Sequence, residues 1–241
     1  MTFINTVVPF TSAIISFIFS FFIFKRYADK RKPHLLLWGL GMVFYGIGGF
    51  CEAYFGVFGW NSLIFRMWYL FGAILVAAWL GQGTVYLLVK RRYANLLMLI
   101  LGVASAYAAV RVFGAELDPG LLTTSVHTGS ELSGHAIVTS GIRTLTPFFN
   151  IYGVVTLVGG AVYSAWIFYR KRVLLHRTIG NILIAVGALA PAFGGAFSRF
   201  GIPGALYIGE LVGATLIFLG FWRATNPMEE KVPQSATEAA S

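Results

Sequence analysis

Apolar runs long enough to cross a bilayer recur along the whole chain, separated by short polar, basic or Gly- and Pro-containing breaks. A hydrocarbon core of about 30 Å takes roughly 20 predominantly apolar residues in helical form. Seven runs fit that length: Pro9–Phe24, Leu35–Gly56, Ser62–Val89, Ala94–Val110, Pro147–Tyr169, Ile179–Phe197 and Gly204–Trp222. The first could begin nearer Ile4, since helix ends are the least sharply coded part of such a pattern. The pattern predicts an all-α integral membrane protein: a seven-transmembrane-helix bundle over residues 1–224, with a polar tail, 225–241, expected to be disordered.

Composition supports this and removes alternatives. Of the 241 residues, 57% are hydrophobic and only 11% charged, with a mean hydropathy of +0.76; a soluble domain carries about 25% charged residues. The Phe-rich first run, FTSAIISFIFSFFIF, is not read as a signal peptide, because no basic residues precede it and no small-x-small site follows. A single cysteine, Cys51, excludes an intrachain disulfide and a cysteine-based metal site.

Charge then gives an orientation. The segments KRYADKRK (25–32), KRR (90–92) and YRKR through HR (169–177), with Arg223 and Lys231, hold fourteen of the 18 Lys and Arg residues. They fall in alternate connections and therefore on one side; Arg66, Arg111, Arg143 and Arg199 fall on the other. Basic loops stay cytoplasmic, so the N-terminus is expected outside and the C-terminus cytoplasmic, in a bacterial cytoplasmic (plasma) membrane. The net charge of +9 follows from this bias and from attraction to anionic lipid. It gives no reason to expect a nucleic-acid partner.

Known membrane chemistries are poorly served. Covalent retinal needs a lysine in the seventh helix, and GALYIGELVGATLIFLGFW has none. Haem between helices needs axial ligands such as His, but His34 and His176 lie at cytoplasmic helix ends and His127 and His135 in a loop. That loop, 113–147, is the one long connection, expected outside; its HAIVTSGI alternation suits a short strand, and it is read as either a lid or a loose surface loop. His127, Glu131 and His135 are zinc-ligand types without a zinc spacing. No nucleophile, HExxH or phosphate-loop motif is present, and no metal or cofactor is expected.

Two acids interrupt the apolar runs. Glu52 lies near the outer end of the second run and Glu210 inside the seventh, beside the Gly209–Gly213 pair of a GxxxG. Ionised groups in lipid are costly, face the bundle interior, and mark function. Glu52 is expected to pair with Arg66 across the GVFGWNS turn, where the second and third helices meet at one depth. Helical spacing groups Gly41, Tyr45, Gly48, Gly49 and Glu52 on the second helix; Arg66, Tyr69 and Ala73 on the third; and Tyr207, Glu210, Gly213 and Ala214 on the seventh. Asn150 shares a face of the fifth with Gly153, and Arg199 closes the sixth. Most Gly and Ser positions on these faces are read as helix packing, and Pro191 as a static kink that frees the Gly187 carbonyl.

The candidate ligand-binding set is thus Glu52, Arg66, Tyr69, Asn150, Arg199, Tyr207 and Glu210. The leading expectation is an outward-facing polar cavity among spans two, three, six and seven, binding or translocating a small polar molecule, an ion or a lipid headgroup. The alternative is a structural or accessory subunit packed on partner membrane chains or on a second copy of itself. An integral membrane enzyme with Glu210 as acid or base stands third, for want of a second catalytic group. Membrane lipids are partners in every case.

Overall fold

The structure, a computed structural model, describes residues 2–123, 132, 134–171, 174–202 and 204–225. Seven of its helices are long and apolar enough to cross a membrane: Thr2–Lys30, Pro33–Phe58, Ser62–Leu88, Arg91–Phe113, Leu145–Arg170, Leu175–Arg199 and Ala205–Thr225, numbered here as spans one to seven. The chain is a multi-spanning membrane protein. The tail, 226–241, lies outside the described residues.

Several spans run past the apolar limits of their sequence. Span one continues through Lys25 and Arg26 to Lys30, because nothing in YADK breaks a helix; the chain turns only at Arg31 (φ 49°), ahead of Pro33 at the start of span two. The basic segment after the first apolar run is therefore mostly helix. At the other end of span two, Gly59 takes φ 76° and the Asn61 side chain caps span three by accepting from the Ile64 amide at 3.0 Å. A left-handed backbone suits glycine, and a side-chain cap of this kind satisfies an amide that the first turn leaves free.

Six spans close a ring. Span one packs on two, two on three, three on five, five on six, six on seven, and seven returns to one; span four packs on three, outside the ring. Spans six and seven meet backbone to backbone through glycine. A Cβ at Gly180 would lie 2.6 Å from the Gly220 carbonyl, one at Gly187 2.9 Å from the Gly213 carbonyl, and one at Gly194 2.5 Å from the Ala205 carbonyl. Such residues let helices approach closely where the hydrophobic effect gives no drive to associate.

Spans five and six meet differently. Their packing lies along Val154–Val158 and Gly159–Arg170 of span five, on the basic side of the molecule. Toward the opposite, loop side, the two helices diverge. Two further departures from regular helix occur nearby: span three is π-helical over Trp68–Leu75 and span five over Val154–Val158.

The long connection is built rather than loose where it is described. Leu117 and Ile137 form one isolated antiparallel bridge, flanked by bonds from Asp118 N to Ala136 O and from Val138 N to Glu116 O. The expected strand is reduced to that bridge. Leu122, Leu132, Ala136, Ile137 and Ile142 are buried in one cluster with Trp60, Phe65 and Tyr69, so this part of the connection seals the ends of spans two, three and four.

Candidate functional site

Glu52 is fully buried near the loop-side end of span two. Span three brings Trp68 against it, and the indole Nε1 donates to Glu52 Oε1 at 2.9 Å. Span seven brings Glu210, and the two carboxyl groups stand beside each other. Among the described residues, Oε2 of each acid is buried and has no hydrogen-bond partner. The pair thus sets two buried, unpartnered carboxyl oxygens in an apolar surrounding. Tyr45 fixes the level: its hydroxyl donates to the Glu210 backbone carbonyl at 2.8 Å. The Gly187 carbonyl stands against Gly213, where a Cβ would come within 2.8 Å of it and 2.9 Å of the Tyr45 hydroxyl.

Arg66 is not part of this unit, which corrects the expected pairing with Glu52. Its Nη2 donates to the Ala115 carbonyl at 2.7 Å, and its Nε has no partner. Helix rotation is the cause. Span two meets span three along the face of Trp68 and Gly72, with a Cβ at Gly48 only 3.0 Å from Gly72 Cα. Arg66 lies on the other side and turns toward the end of span four.

Beside the carboxyl pair lies a cavity of about 460 Å³ among spans two, three, five, six and seven. Glu210 is in its wall and is partly accessible, while Glu52 sits behind, out of the wall. Tyr45 and Trp68 stand beside Glu210; Asn150 and Thr146 add polar groups from span five; Arg199 stands exposed at the loop-side end of span six. The rest of the wall is apolar or small, with Val76, Leu80, Val154, Leu157, Ala188 and Ile217. Both π-helical segments contribute, through Gly72 and Ala73 and through Val154 and Leu157. Such segments are frequent at functional sites. Asn150 Nδ2 donates to the Ala73 carbonyl at 2.9 Å and ties one π segment to span five.

Of the residues singled out in the sequence, Glu210, Asn150 and Arg199 therefore line the cavity, and Glu52 backs it through Glu210. Tyr69 and Tyr207 are buried outside its wall, although the Tyr69 hydroxyl lies 2.9 Å from Thr146 Oγ1, which is in it. Span five, absent from the expected cavity, supplies one side of it. Trp68 was the residue to find: an indole N–H inside an apolar run needs an acceptor, and Glu52 is the acid at its depth. Of the connection 113–147, only Thr146 reaches the wall, so the described part of the connection is no lid over this cavity. His127 and Glu131 lie outside the described residues, and His135 Nδ1 is 3.1 Å from the Leu132 carbonyl.

A second buried polar unit ties spans rather than opening on space. Gln82 is fully buried, donates to the Ala94 carbonyl at 2.8 Å and accepts from the Tyr152 hydroxyl, which joins spans three, four and five. Compared with known proteins, the chain matches no family model, no curated protein and no solved structure.

Proposed function

We propose that this protein binds or translocates a small ligand with a polar end, held in the cavity among spans two, three, five, six and seven with Glu210 as its polar anchor. One observation carries the reading: Glu210, an acid inside an apolar span, is in the wall of a cavity of about 460 Å³. Small-molecule sites occupy about 300–1,000 Å³ and combine apolar walls with a few convergent polar groups. An acid inside a membrane span is by default a functional group. With the basic side cytoplasmic, the cavity belongs to the outer half of the bundle.

The test is to fill the cavity. A Cβ at Gly195 meets only Leu206 Cδ1, at 3.7 Å, and Gly195 is in the cavity wall. Native mass spectrometry of the intact protein in lipid nanodiscs should show a small bound molecule that Gly195→Trp excludes while the helices and thermal midpoint are kept. A wild type that carries none, and that purifies in fixed ratio with other membrane chains, would replace this reading with the accessory subunit.

A further inference from the structure

The carboxyl pair has a property that the cavity alone does not. A net charge at this depth needs a counter-charge, and among the described residues no basic side chain pairs with Glu52 or Glu210: Arg66 is engaged by Ala115, and Arg199 stands at the exposed end of span six. A pair of carboxyl groups holding one proton carries one negative charge. Two fillings neutralise it, a second proton or a monovalent cation in the cavity beside Glu210. The wall around Glu210 suits a particular cation. Tyr45 and Trp68 share the cavity wall with Glu210, and aromatic rings with an anion are what hold ammonium groups. Apart from Thr146, Asn150 and Arg199 the remaining wall is apolar or small, so the body attached to that ammonium is apolar too.

We propose that the Glu52–Glu210 pair exchanges one proton for one organic ammonium ion with an apolar body, which reaches the cavity through the side of the bundle between spans five and six. The proposal rests on the cavity reading above and names its ligand class. The exchange balances: the doubly protonated pair is neutral, the cation enters, one proton leaves to water, and the remaining proton with the ammonium leaves the site neutral again. No bond other than to that proton is broken. The route follows from the divergence of spans five and six on the loop side. Thr146 and Asn150 form one edge of the gap, and Ala192, Ala196 and Arg199 the other; all five are in the cavity wall, and Ala192, Ala196 and Arg199 are exposed. Span two places Tyr45 and Cys51 near the pair and span seven Tyr207, on the face of Glu210. Span one meets this level of span two through Pro9 and Ala13, and span five brings the neutral Asn150.

The experiment titrates phenethyltrimethylammonium, a permanent cation, into the full chain in nanodiscs, by calorimetry in two buffers of different ionisation heat. Its uncharged carbon isostere is titrated alongside. The expected result is one proton released per cation bound, with the apparent Kd falling about tenfold per pH unit while that proton is exchanged, and with the isostere at least about tenfold weaker. Glu210→Gln, which keeps the shape, should lose cation binding with the fold intact. Cation binding with no proton released, equal binding of the isostere, or unchanged binding to Glu210→Gln would overturn the exchange and leave the cavity reading standing. If neither probe binds the wild type, the exchange is overturned; if no molecule co-purifies either, the cavity reading falls with it.

Discussion

Trp68 and Arg66 stand two residues apart in span three, about 200° around the helix axis, and that rotation puts one against Glu52 and the other against Ala115. A double-mutant cycle separates the two relations. Glu52→Gln combined with Trp68→Phe should be non-additive by about 0.5–3 kcal/mol, whereas Glu52→Gln with Arg66→Gln should add within about 0.5 kcal/mol. Thermal or denaturant unfolding in detergent reads both. Trp68→Phe alone should destabilise by roughly 1–3 kcal/mol, because it leaves a buried carboxyl oxygen without its donor. The two acids were legible in the sequence, since a carboxyl in an apolar run stands out against its neighbours. Their pairing was not. Depth along a helix can be counted from residue numbers, but which face meets which neighbour depends on rotations set by packing, here by the contact of Gly48 with Gly72.

At the scale of helices, Gly194 and Gly195 are adjacent in span six and face different surroundings. Gly194 lies against the backbone of span seven, and Gly195 faces the cavity. Gly194→Val should cost about 1–3 kcal/mol, the range for overpacking a tight contact. Gly195→Val should cost far less; matched thermal midpoints of the two variants would remove the backbone contact from the account. The seven spans themselves were readable as apolar runs, and the Gly209–Gly213 pair as packing. The π-helical stretches were not: WYLFGAIL and VVTLV carry no residue that demands a wider turn. Span five was left out of the expected cavity for a related reason. Its one polar side chain there, Asn150, reads equally well as a rivet between helices, and it does donate to the Ala73 carbonyl.

For the whole molecule, the bias of basic residues gives an expected orientation. Reporter fusions after Lys32, after Arg92 and at the C-terminus should read cytoplasmic, and fusions within 120–140 external; an external C-terminus would reverse the argument for an outer cavity. The ring of six spans is closed at every junction but is incompletely zipped between five and six, where the cavity wall includes exposed residues of both helices. On the route proposed above, that gap opens to the side of the bundle rather than along its axis. For a molecule that dissolves in the bilayer, occupancy then follows the amount per lipid and not the amount per litre. Diluting such a membrane suspension with buffer leaves the protein loaded, and adding empty bilayer drains it.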